Sequence, residues 1–225
     1  MLMQAPPKRF ADRRAAGDWL ADALSHYRGA DVLVLGLPRG GVVVAARVAE
    51  ELDGELDVIV ARKLPSPISQ ELAIGAVTAD GERYLNEGLI SELGVSDVFV
   101  DAITLVQRNE AKQREKEWRG TRPAPRVTGR IVVVVDDGLA TGATMHAAVQ
   151  SVRKQKPGHL IVAVPVGARE ACESFAAAAD EVVCPWQPEP FGAVGLYYKD
   201  FAQTSDAEVR EILTRSPAMK SVEPW

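Results

Sequence analysis

Short, wholly apolar runs alternate along this chain with segments whose apolar residues recur three or four apart, a pattern that predicts strands and helices in turn. Phe10, Trp19, Leu20, Leu24 and Tyr27 predict an amphipathic helix over Arg13 to Tyr27 that stops near Gly29. Asp31 to Leu35 reads as a strand, Val42 to Leu52 as a helix and Leu56 to Ala61 as a second strand, an order that predicts a parallel pair joined by a right-handed crossover. Between Lys63 and Leu85 the pattern loosens into a proline-rich loop with Pro65 and Pro67, followed by a β-hairpin at the Asp80-Gly81 turn. Val98 to Trp118 predicts a long helix, apolar early and densely charged later, and Thr121 to Thr128 a connector.

Beyond the connector, Ile131 to Val135 is five β-branched residues in succession, the signature of a strand buried on both faces. Thr144 to Lys154 predicts a helix, Leu160 to Val166 a strand, Glu170 to Ala179 a helix, and Glu181 to Cys184 a last short strand. The final ten residues, SPAMKSVEPW, read as a tail. Alternating strands and helices imply an α/β domain with a mainly parallel sheet flanked by helices.

The bulk properties narrow this picture. The chain has 225 residues, room for one large α/β domain with a small appendage. No apolar run approaches the ~20 residues that cross a bilayer, and the first twenty residues lack an apolar leader core, so no membrane partner and a cytoplasmic location are expected. A net charge of −5 argues against a broad nucleic-acid surface. Cys172 and Cys184 sit in no metal-binding spacing and read as core thiols.

Candidate chemistry concentrates in two strand-to-helix junctions. In IVVVVDDGLATGATM, Gly138, Ala140, Gly142 and Ala143 are small enough for the backbone to close around a phosphate, and Thr141 and Thr144 add hydroxyl donors. Asp136 and Asp137 would repel that anion, so they read as acceptors for hydroxyl groups or as outer ligands of a hard cation such as Mg2+. The loop is neither a Walker loop, since no Lys follows Gly142, nor a dinucleotide fingerprint. In GLPRGG, Gly40 and Gly41 can present consecutive N–H groups in a nest, and Arg39 supplies a fixed charge for phosphate oxygens. Lys63, in VARKLPSP, offers a point cation after the second strand; alternation lets either it or Arg62 face inward, not both.

An aliphatic strand, two acids, two spacers and A-T-G-x-T resemble the phosphoribosyl pyrophosphate signature of the type I phosphoribosyltransferases. The likeness extends through RFADRRAAG, GLPRGGVVVAA, RKLPSP, ELAIGAV and PFGAVGLYYKDF over nearly the whole chain. It implies the type I fold as a single domain over residues 1–225, with a hairpin and helix insertion at about 64–120 and a small C-terminal hood at about 184–202. It further implies a Mg2+-dependent transfer of a 5-phosphoribosyl group from phosphoribosyl pyrophosphate to a nucleobase or related nitrogen heterocycle. Asp136 and Asp137 would contact the ribose hydroxyls, Ala140, Thr141, Gly142, Ala143 and Thr144 the 5′-phosphate, and Arg39, Gly40, Gly41 and Lys63 the diphosphate. In some members an unusual cis peptide precedes the residue matching Lys63.

Trp186 and Phe191, in the aromatic segment from Cys184 to Phe201, are candidates to cover the base, as aromatics do in the hood of purine-salvage members. Members acting on hypoxanthine or guanine carry an Asp where this loop has Ala140, so no acceptor base is assigned. A homodimer is left open. The alternative activity is a regulatory protein that binds phosphoribosyl pyrophosphate without turnover.

Overall fold

The computed structural model describes residues 7–215; the tail from Ser216 to Trp225 lies outside them. Five parallel strands, β1 (Val32–Gly36), β2 (Glu55–Val58), β6 (Ile131–Val135), β7 (His159–Ala163) and β8 (Glu181–Val183), form one sheet in the order β2-β1-β6-β7-β8. Every residue of β1, and all but the first of β6 and β7, is buried, as strands covered on both faces must be. Helices α1 (Arg13–Ala23) and α2 (Gly40–Leu52) pack on one face, where Leu20, Val44, Val48 and Leu52 meet Val34, Val133 and Ile161. Helix α5 (Ala143–Lys154) covers the other, bringing Met145, Ala148 and Val152 against Leu33, Val132 and Leu160.

The register sets up the site. Gly36 pairs with both Val58 and Val135, and Val135 with Ala163, so four strands end at one level and their following loops emerge side by side. Chain order also reverses between β1 and β6: β2 lies on one side of β1, and everything after β6 builds outward on the other. Such a reversal leaves a crevice at the carboxyl ends of the two strands, because their connections run to opposite sides.

The expected second strand, Leu56 to Ala61, is split. β2 ends at Val58, and Ala61 already belongs to β3 (Ala61–Ser66), the first strand of a separate antiparallel sheet with β4 (Ser69–Thr78) and β5 (Arg83–Leu85). The proline-rich loop expected from Lys63 onward is therefore largely strand. Pro65 is tolerated because β3 is an edge strand and its register slips on both sides of the proline. The helix α4 spans Asp97–Arg119, preceded by a short α3 (Glu87–Leu93) that the periodicity did not suggest. Together these elements form a compact outgrowth packed around Leu64, Ile74, Val77 and Val100.

Other boundaries also differ from the pattern. α1 gives way to a 3-10 turn at Ser25–Tyr27, and the helix expected over Glu170 to Ala179 is only α6 (Arg169–Glu173), followed by turns that bury Phe175. A seventh helix, α7 (Asp206–Arg215), was not foreseen; it buries Val209 and Leu213.

At the amino ends of the strands, Arg130 is 3% exposed and binds Asp31 Oδ1 at 2.8 Å, Glu55 and the Val32 carbonyl, tying β1, β2 and β6 together. Arg130→Met leaves Glu55 and the Val32 carbonyl without their cation, so it should destabilise the protein by roughly 3 kcal/mol in urea unfolding. A loss within about 0.5 kcal/mol would mean that the cluster contributes little.

Candidate active site

Both motif loops emerge at the reversal point, and they touch. Leu37 N–H donates to the Val135 carbonyl at 2.8 Å, bringing GLPRGG alongside the end of β6. Gly40 and Gly41 are the first residues of α2, and neither has a positive φ, so their backbone angles are ones that other residues also adopt. Their lack of side chains is required by close approach instead. A β-carbon on Gly40 would overlap Asp137 Oδ2 and lie 2.6 Å from Arg13 Nε. One on Gly41 would lie 2.8 Å from Asp136 Cα and 2.9 Å from the Val135 carbonyl. The acid pair thus rests directly on the first turn of α2.

Both helices that open onto this point begin without a side-chain cap or an acidic residue in the first turn. For α5 the N-cap is Gly142, whose φ of +77° suits glycine, while Thr141 is exposed and free to turn its hydroxyl to a ligand. Unpaired N–H groups and the positive dipole end make each terminus receptive to an anion. Leu139 fixes the intervening loop by exchanging backbone hydrogen bonds with the segment after β7, at 3.0 Å from its N–H to the Val166 carbonyl and 2.8 Å from Ala168 N–H to its own carbonyl. Ala140, Thr141, Ala143 and Thr144 remain at least partly exposed beside it.

The acid pair is held asymmetrically. Asp137 receives Arg13 Nε at 2.7 Å on Oδ2, and its carbonyl accepts from the Tyr198 hydroxyl. Asp136 Oδ1 accepts from Asp137 N–H at 2.8 Å. Enclosure, and then repulsion from Asp137, push Asp136 well above the ordinary carboxylate range, with Arg13 and Lys63 acting in the opposite direction. Enclosure also raises Asp137, opposed mainly by Arg13. Among the described residues no cluster of three or more acidic, His or Cys side chains could hold a metal by itself. Two carboxylates at an anion-receptive mouth nevertheless fit a hard cation such as Mg2+ that draws its other ligands from phosphates and water.

Arg62 and Lys63 divide as alternation requires. Arg62 turns to α4, bonding Glu110 and, at 3.2 Å, Gln107, whereas Lys63 is exposed and its charge acts on Asp136. Arg39 reaches Asp206 of α7 at 3.4 Å, and Asp206 also takes Arg114 at 2.7 Å. The unusual cis peptide lies between Pro38 and Arg39, in GLPRGG, and not before Lys63.

Of the hood candidates, Trp186 packs edge-on between Phe10 at 5.5 Å and Tyr197 at 5.0 Å, a setting that ties the hood to the N-terminal segment. Phe191 stacks on Tyr197 at 5.2 Å and is only partly buried. The hood reaches the loop through Val194, which occupies the space a β-carbon on Gly138 would need. His146 is neither a free surface group nor part of the mouth: it lies between Tyr84 and Phe175, and burial lowers its pKa.

A family model described as the phosphoribosyl transferase domain matches residues 10–195, which include both loops, the acid pair and Lys63. The chain belongs to that family. It is 46% identical over 209 residues, 93% of its length, to the Mycobacterium tuberculosis protein named "Putative phosphoribosyl transferase Rv0571c", and equally to its counterpart MT0597 in a second strain. The chain spans about half, 47%, of the length of these two relatives. The crystal structure of TT1426 from Thermus thermophilus is 44% identical, with a TM-score of 0.79 over 93% of this chain and 100% of that one. No helix among the described residues is long and apolar enough to cross a membrane.

Arg13 and Asp206 reach this candidate site without having been expected there, and Tyr198, from the aromatic segment Cys184 to Phe201, reaches it at the Asp137 carbonyl. Of Arg13 and Asp206, Arg13 alone left a trace in the sequence: it opens a helix with a cation, next to Arg14, where the dipole favours an acid.

Asp136 gives a signed test. Its proton is held more tightly in the folded than in the unfolded protein, so the stability tied to this group is present at low pH and lost as pH rises through the folded-state value. Asp136→Asn should therefore stabilise the ligand-free protein in urea more at about pH 8 than at about pH 4. Equal effects at both would contradict the raised proton affinity.

Proposed function

We propose that the protein transfers a 5-phosphoribosyl group from phosphoribosyl pyrophosphate to a ring nitrogen of a nucleobase or related heterocycle, releasing pyrophosphate. The supporting observation is the pair of uncapped helix termini on either side of two enclosed carboxylates, at the reversal point of the sheet. One anion-receptive terminus would serve each end of a ligand with phosphate at C5′ and diphosphate at C1′, and the acids would meet the hydroxyl-bearing sugar between them.

In this reading Ala140 to Thr144 hold the 5′-phosphate, and that anchoring fixes C1′ for attack. Arg39, Lys63 and the amides at the start of α2 take up the charge that collects on the diphosphate as its bond to C1′ breaks. Arg39 leaves Asp206 to do so, and a 3.4 Å contact makes that exchange easy. Asp136 and Asp137 accept from the ribose hydroxyls and place negative charge beside the carbon becoming cationic. Mg2+, when bound through the acid pair and the substrate's oxygens, would neutralise part of the diphosphate charge. Phe191 and Trp186, both partly exposed on the hood, are the candidates to cover an acceptor.

The loop supplies no carboxylate at Ala140 to take the acceptor's proton. That feature favours a second reading, a regulatory module that binds phosphoribosyl pyrophosphate without turnover. Calorimetry with phosphoribosyl pyrophosphate and Mg2+, run alongside pyrophosphate release across a panel of bases, separates the two. Saturable binding with release for at least one base is expected, and Asp136→Asn and Asp137→Asn should each weaken binding roughly tenfold or more. Binding without release for every base would support the regulatory reading, and no binding would overturn both.

A further inference from the structure

Arg13 is an expensive residue where it stands. It is the first residue of α1, its side chain is only 12% exposed, and the helix dipole opposes a cation at that end. Asp12 caps the helix by accepting from Ala15 N–H at 2.9 Å, so Arg13 is not needed to start it. Its guanidinium is nevertheless engaged on three sides. Nε donates to Asp137 Oδ2 at 2.7 Å, Nη1 donates to the Ala202 carbonyl at 2.7 Å, and its carbon lies 3.9 Å from the centre of the Phe201 ring. Gly40 leaves the space for this arrangement, since a β-carbon there would strike both Arg13 Nε and Asp137 Oδ2.

These contacts close a ring of interactions. Phe201 packs on Tyr198 at 4.9 Å, and the Tyr198 hydroxyl returns to the Asp137 carbonyl. Asp137 is thereby gripped at both ends, its carboxylate by Arg13 and its carbonyl by Tyr198. The segment from Tyr198 to Ala202, at the end of the hood, is fastened to the acid pair by the same two residues.

We propose that Arg13 is the positioning residue of the ribose site: it fixes Asp137 so that Oδ1 alone is presented to a sugar hydroxyl, and it latches the Tyr198–Ala202 segment to that carboxylate. Sugar recognition and the seating of the hood are then one event, because a single guanidinium serves both. This inference rests on the phosphoribosyl pyrophosphate reading for its ligand and on the ligand-free geometry for its latch.

The test has a ligand-free arm and a ligand-bound arm. In the protein without ligand, Arg13→Gln should raise amide hydrogen exchange over Tyr198 to Ala202 while the sheet remains protected; unchanged exchange there overturns the latch. With phosphoribosyl pyrophosphate and Mg2+, Arg13→Gln should weaken calorimetric binding by roughly ten- to a hundredfold, the worth of a charge-assisted hydrogen bond, and Arg13→Lys should recover part of it. Because Arg13 acts through Asp137, the double variant Arg13→Gln/Asp137→Asn should bind no more weakly than Asp137→Asn alone. Additive losses would place Arg13 directly on the ligand and overturn the positioning role, as would wild-type affinity in Arg13→Gln. Failure of the wild-type protein to bind would instead count against the functional reading, leaving the exchange result to decide the latch.

Discussion

Two carboxylates rest on the bare first turn of a helix, and the rest of the site is arranged around that contact. Adjacent strands in a sheet lie about 4.8 Å apart, so the loops that leave β1 and β6 at one level have little room between them. Asp136 and Asp137 can occupy that gap only because α2 begins with Gly40 and Gly41. The same closeness sets the acids against the amino terminus of α2 on one side, while their own loop runs on to the amino terminus of α5.

The electrostatic consequence is a balance of opposed local charges in a protein of net charge −5. Enclosing two acids side by side is unfavourable to their charged forms and pushes both pKa values up. Arg13 and Lys63 offset part of that cost, and the two uncapped helix ends stand ready for anions. In the proposed reading, a ligand with two phosphate groups and a sugar between them would set its anions on the helix ends and its hydroxyls on the acids. Sites that violate local rules in this way, with bare helix ends and crowded acids, are where function is expected to override stability.

Much of this was legible from the sequence because it is written in contiguous residues. The apolar run Ile131 to Val135 makes a buried strand, and the small residues after it suit a loop of close approach. What could not be read depends on partners far along the chain. Arg13 meets residues 124 and 189 positions away, and Arg39 meets Asp206, 167 positions away. For Gly40 and Gly41, a glycine pair signals backbone freedom locally, and only the fold reveals that the missing side chains make room for a neighbouring loop. Likewise Pro65 reads as loop in isolation, and its acceptance in β3 follows from the edge position of that strand.

The central claim is that one ligand spans both helix termini with its sugar on the acid pair. A crystal structure of the protein with phosphoribosyl pyrophosphate and Mg2+ tests it most directly. The 5′-phosphate should lie against the amides of Ala140 to Thr144, the diphosphate against Arg39 to Gly41, and the ribose hydroxyls on Asp136 and Asp137. Ligand bound elsewhere, or bound with the acid pair untouched, would contradict the claim.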